Sequence, residues 1–231
     1  VIGRLEAPAT VKYIKNEAEL VKFGAHDESD KDLTTYCGGI IGVASKAGTT
    51  IENCINSARV YSVSRGTLLP DDSSLPCKFG QGFFCGGIAA YIMGDDGNRS
   101  AIRNCQNIAP DRGSNLNVYV NRGYGGGIVA YARYTDISDS KSTVTMRGID
   151  GSVRLGGIAA YLNNSNIDKC TATSTALKSD RLTYIGGIAS HVNAGSSVKN
   201  STFNGIITTS GTYQPSGMVA AKVVAGAKIE N

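Results

Sequence analysis

An all-β chain wound as a parallel β-solenoid is what the sequence predicts, and three observations predict it. A phrase built on paired glycines and an isoleucine recurs six times, and a second phrase, clearest as Ile-x-Asn-Cys, follows each copy. The segments are four to seven residues long, β-branched, and bounded by Gly, Asn, Asp and Ser, which is strand and turn chemistry. The three-and-four apolar spacing of a helical repeat is absent.

The first phrase reads Cys37-Gly-Gly-Ile-Ile-Gly-Val, Cys85-Gly-Gly-Ile-Ala-Ala-Tyr, Gly125-Gly-Gly-Ile-Val-Ala-Tyr, Leu155-Gly-Gly-Ile-Ala-Ala-Tyr, Ile185-Gly-Gly-Ile-Ala-Ser-His and a degraded Ser216-Gly-Met-Val-Ala-Ala. Its first glycines, Gly38, Gly86, Gly126, Gly156 and Gly186, are 48, 40, 30 and 30 residues apart, so the period settles at 30. The second phrase begins at Ile51, Ile102, Ile137, Ile167, Val198 and Ile229. A looser Thr/Val/Ser segment, such as Ser142–Met146, lies between them. This period suits a coil of three short strands, each lying about 4.8 Å from its copy in the next coil. The chain then divides into an N-terminal segment, 1–35, and about five to six coils over 36–231: 36–83, 84–123, 124–153, 154–183, 184–214 and a partial 215–231.

Stacking assigns roles to positions. Ile40, Ile88, Ile128, Ile158, Ile188 and then Met218 are expected to form a buried file, with small residues Gly42, Ala90, Ala130, Ala160, Ser190 and Ala220 two positions on. Asn53, Asn104, Asp139 and Asn200 suit a left-handed turn, with Lys169 breaking the pattern. Asn16 through Phe23 predicts a short amphipathic capping helix, with Asn16 as N-cap and Glu19 three residues on. The back end shows no cap, which leaves room for a continuing chain or end-to-end self-association.

Two aromatic columns are the leading binding candidates. Three positions after each Ile stand Val43, Tyr91, Tyr131, Tyr161, His191 and Ala221; two positions before each glycine pair stand Tyr36, Phe84, Tyr124, Arg154, Tyr184 and Gln214. Alternation points both columns outward, as strips for sugar rings or a partner's apolar side chains, or as mutual shielding. The candidate ligand-binding residues are therefore Tyr91, Tyr131, Tyr161, His191, Tyr36, Phe84, Tyr124 and Tyr184.

No other constellation stands out. Asp95-Asp96 and Asp71-Asp72 read as turn residues, and Asp27 to Asp32 as a solvated loop lacking the pattern of an EF-hand. With two histidines and no Cys-x-x-Cys, no metal site or cofactor is expected. Cys37 with Cys85, and Cys54 with Cys105, share phases in adjacent coils, within disulfide range, but parallel side chains disfavour the torsion and they are read as buried thiols; Cys170, stacked between Ser140 and Ser201, is expected unpaired, and Cys77 sits in an insertion where it is free to remain a thiol. The net charge of +4 comes from scattered basic residues, among them Arg99, Arg103, Arg112, Arg122 and Arg133, which argues against nucleic acid as a partner. No run of about 18 apolar residues is present, so no membrane span is expected.

Gly-Gly-Ile-Ala-Ala-Tyr linked to Ile-Arg-Asn-Cys resembles the GLUG-motif repeats of bacterial cell-surface proteins, and Tyr13 to Phe23 is similar to the segment that often precedes such arrays. The likeness covers about residues 13 to 231, although Ala replaces the usual Gly in most copies and the first two periods carry insertions. It implies a right-handed β-helix and an extracellular, adhesin-like module contacting a host surface protein or glycan. The expectation is a non-enzymatic stalk or adhesive platform. A carbohydrate-binding module using the tyrosines, and a polysaccharide lyase or hydrolase, are the alternatives. The loops after Arg59 and before Tyr124 are the expected partner contacts.

Overall fold

The structure is a computed structural model, and it describes residues 2–18, 20–24, 34–63, 82–109, 116–120, 123–148, 153–179, 183–210 and 215–230. Every strand pairs parallel with its copy in the next coil, giving four sheets that run along one solenoid. One coil shows the route. Thr34–Gly38 lies in the first sheet, Ile41–Ala44 in the second, Thr50–Glu52 in the third, and Ile55–Asn56 with Arg59–Val63 in the fourth. The expected coil of three strands is thus a coil of five segments on four sheets, because the glycine pair divides the first phrase and a short break, at Ser57-Ala58 in this coil and at Val144 two coils later, divides the third.

Register is kept along the stack. Cys85 lies between Cys37 and Gly125, and Ile137 between Ile102 and Ile167. The isoleucine file is present and fully buried, with Ile88, Ile128 and Ile158 each donating its N–H to the next coil's Ile carbonyl at 2.9 Å. Beyond Ile188 the file continues as Val219 instead of the expected Met218, because Gly217 aligns with Gly186 and Met218 takes the place of the second glycine; at this end of the stack both Val219 and Met218 are exposed. The same offset puts Lys222, and not Ala221, beside His191.

The glycine pair shapes the cross-section. A Cβ on Gly38, Gly86, Gly126, Gly156 or Gly186 would lie closer than 3.0 Å to the carbonyl of the residue three places later, because the chain folds back on itself there. On the second glycines, Gly39, Gly87, Gly127 and Gly187, it would collide with Asn56, Asn107, Ser142 and Phe203 of the fourth sheet. The backbone therefore touches the opposite wall, and each coil is pinched into two lobes. One lobe holds the Ile file with Ile51, Ile102, Ile137 and Ile167; the other holds Cys85, Val118, Met146, Leu155 and Ile185.

At the waist, Asn16, Asn56 and Asn107 form a buried amide ladder. Asn16 Nδ2 donates to Asn56 Oδ1, and Asn56 Nδ2 to Asn107 Oδ1, both at 2.9 Å; Asn107 Nδ2 ends on the Gly127 carbonyl at 2.7 Å. Beyond it the same column continues as Ser142, Ala172 and Phe203.

This ladder explains the one element that differs from expectation. The expected capping helix does not form: Lys15–Asn16 and Leu20–Gly24 are strands on Ile55–Asn56 and Arg59–Val63, and Glu19 lies outside the described residues. An eight-residue helix is marginal on its own, whereas an existing sheet edge satisfies each added backbone group. With Ile2–Leu5 and Thr10–Lys12, the N-terminal segment builds a further coil, so the second and third sheets each have seven strands. Its turn residue Tyr13 adopts φ 57°, matching Asn53, Asn104, Asp139, Lys169 and Asn200 at 46° to 55°. Lys169 thus keeps the left-handed turn without an Asn side chain.

Candidate functional site

The two aromatic columns meet at the outside of the waist. Tyr36, Phe84, Tyr124, Arg154 and Tyr184 project from the first sheet on the face away from its core residues Cys37, Cys85, Leu155 and Ile185. Val43, Tyr91, Tyr131, Tyr161 and His191 project from the outer face of the second. Because the glycine fold turns these faces toward each other, the columns fill a re-entrant notch. Within a column the rings stack in parallel: Tyr91 on Tyr131 and Tyr131 on Tyr161 at 5.1 Å, Phe84 on Tyr124 at 5.0 Å. Across the notch they meet edge to face, Phe84 with Tyr131 at 6.1 Å and Tyr124 with Tyr161 at 5.9 Å. Both geometries suit the ring quadrupole.

The outward direction read from alternation is correct for the sheets, but the flat exposed strips are not there. Tyr91, Tyr131, Tyr161, His191, Phe84 and Tyr124 are buried, and Tyr36 and Tyr184 are half-buried. Alternation defines the side of a strand and is blind to a second sheet folding over it. The small residues Ala90, Ala130 and Ala160 also belong to this notch rather than to the inner core, where they leave room for the rings. The tyrosine hydroxyls are engaged as well: Asn163 Nδ2 donates to Tyr131 at 3.4 Å and Asn193 Nδ2 to Tyr161 at 2.6 Å.

Two buried polar residues depart from the aromatic pattern, and both contact the Tyr184 ring. Arg154 is buried with its guanidinium 5.1 Å above the Tyr124 ring and 5.7 Å from that of Tyr184, donating to the Tyr124 hydroxyl at 3.2 Å. His191 stacks on Tyr161 at 5.6 Å and meets Tyr184 edge-on at 4.7 Å. Burial, with Arg154 and Lys222 nearby, lowers the His191 pKa to about 3, so its imidazole is neutral at physiological pH. Arg154 Nε and His191 Nε2 are the buried side-chain nitrogens with no hydrogen-bond partner among the described residues. Arg154 and Lys222 were missed as site residues: an Arg in an aromatic column reads as an exposed exception, and the offset in the last repeat hid the lysine.

The remaining candidates are structural. Cys54, Cys105 and Cys170 are buried thiols, each donating Sγ to the carbonyl two residues earlier, at 3.4, 3.3 and 3.4 Å. Ser140 and Ser201 make the same bond in the same column, so Cys and Ser alternate as turn residues. Burial pushes the Cys170 thiol up to about 12, whereas the contact between Cys54 and Cys105 raises Cys105, with burial adding to it, and lowers Cys54 to about 6. Asp95 accepts from the Asn98 N–H at 2.6 Å, closing an exposed turn. Arg99 holds Asp136 through Nε and Nη2 at 2.8 to 3.1 Å, with Asn166 adding a bond at 2.8 Å; these outweigh the opposing effect of burial and lower the Asp136 pKa. Among the described residues no cluster of His, Cys, Asp and Glu is arranged to hold a metal ion, and no helix is long and apolar enough to cross a membrane. Cys77, His26, Asp71-Asp72, Asp27 to Asp32, Arg112 and Arg122 lie outside the described residues, as does most of the two loops expected to contact partners. Comparisons with protein-family models, curated proteins and solved structures each return no match.

Proposed function

We propose that this chain is a non-enzymatic structural module, a stalk or platform on a bacterial cell surface, whose repeat encodes a rod and whose outgrowths make the contacts with a host protein or glycan. One observation carries this reading: the recurring residues are spent on packing. The glycine pairs form the waist, the isoleucines fill one lobe, the Asn and Ser/Cys columns close turns, and the aromatic rings pack on one another. The likeness to GLUG-motif repeats supports the surface location and the adhesin-like role. A buried notch offers no flat platform to a sugar ring, which sets carbohydrate binding by the tyrosine strip second. Glycan-array and host-protein binding, run beside an assay for sugar release from acidic polysaccharides, tests the reading. Polysaccharide turnover would overturn it. Glycan binding abolished by Tyr131→Ala in a folded protein would favour the strip.

A further inference from the structure

We propose that the Arg154–His191 corner of the aromatic notch is a binding site for a small oxyanion group, a carboxylate or a sulfate. Arg154 and His191 put nitrogen-bearing side chains into the run of buried rings, in adjacent coils, on facing sheets and on either side of the Tyr184 ring. Both side chains are more than nine-tenths buried. Each keeps one nitrogen without a hydrogen-bond partner.

A guanidinium out of water normally faces a carboxylate. Arg154 has only ring faces and one phenol hydroxyl; no carboxylate of the described residues pairs with it. Cation–π contacts recover less than desolvating an ion costs. The next coil places Lys222 in register with His191, adding a second positive charge. Ser190 Oγ donates its one proton to the Tyr184 carbonyl at 2.8 Å and lies 3.4 Å from His191 Nδ1, so the neutral ring gives up only a long contact to Ser190 when it carries its proton on Nε2 toward an anion. An oxyanion then receives N–H donors from Arg154 Nε and His191 Nε2 and balances the charge of Arg154 and Lys222. Tyr184 and Lys222, both half-buried, border this corner.

The test is a thermal melt with sodium acetate, sodium glucuronate or sodium sulfate against sodium chloride at matched ionic strength, at pH 7, together with NMR of the His191 ring. A rise of several degrees with an oxyanion over chloride, with displaced His191 resonances, both lost in Arg154→Gln, is the expected result. Acetate and glucuronate acting without sulfate identify a carboxylate; sulfate acting alone identifies a sulfate ester. If Arg154→Gln does not fold, Arg154→Tyr, which restores the column's own residue type, takes its place. His191 resonances unmoved by all three anions, or an equal response in the Arg154 variant, overturn the proposal.

Discussion

The two halves of the solenoid share one backbone plan and differ in what fills the same places. In the N-terminal coils the waist is polar, carrying the Asn16–Asn56–Asn107 ladder, and the notch beside it is apolar and mostly aromatic, with Val43, Phe84, Tyr91, Tyr124 and Tyr131. In the C-terminal coils the waist turns apolar at Ala172 and Phe203, while the notch acquires Arg154 and His191. The difference teaches that a repeat constrains size and backbone conformation more tightly than polarity. Any side chain that satisfies its neighbours one coil above and below is accepted.

The harshest way to break the comparison is to remove what both halves share. Gly127→Ala puts a Cβ into the Gly157 carbonyl and Ser142, so loss of more than about 4 kcal/mol or failure to fold is expected in chemical denaturation. Gly97→Ala, whose nearest neighbour is 3.9 Å away, serves as the silent control. Tyr131→Ala comes next. It removes a buried ring stacked on both sides, and about 3–5 kcal/mol should be lost, read as a lowered denaturation midpoint.

Two smaller effects sharpen the contrast between the halves. Asn107→Ala strands the Asn56 amide and the Gly127 carbonyl, for a cost of about 1–3 kcal/mol, whereas Ser142→Ala one coil later should cost less because Ala is already accepted at 172. The notch supplies a pH signature. Folded His191 titrates at about 3, against about 6.5 in the unfolded chain, so between those values only the unfolded state binds the proton. Stability therefore falls as the pH drops through that window, by at most about 1.4 kcal/mol per unit. In chloride buffer, His191→Tyr should flatten that slope.

The smallest effect is expected at Asp136. Its lowered pKa means that the Arg99–Asp136 contribution is present above the usual carboxylate range and is lost as pH falls below it. Its side chain is 42% exposed, so solvent screens the pair, and Asp136→Asn should change acid unfolding only slightly.

Much of this was legible in the residues. The 30-residue period, the Ile file and the left-handed turn column follow from like residues recurring in phase, because parallel stacking lets each copy report on the next. The N-terminal coil was not legible. Thr10-Val11-Lys12-Tyr13 carries no Asn at the turn and no glycine pair, and Asn16 followed by Glu19 imitates a helix start. That local signal lost to the sheet edge.

By itself the sequence determined the period, the buried isoleucine file over Ile40 to Ile188, and where the chain must turn, since all of these depend on side-chain size and backbone conformation repeated at a constant interval. Only the tertiary structure decided that each coil is pinched into two lobes, that the tyrosines are buried, and that Arg154 and His191 both contact the Tyr184 ring. Those outcomes depend on the angle between sheets, which Gly39, Gly87, Gly127, Gly157 and Gly187 permit by pressing the backbone against the opposite wall.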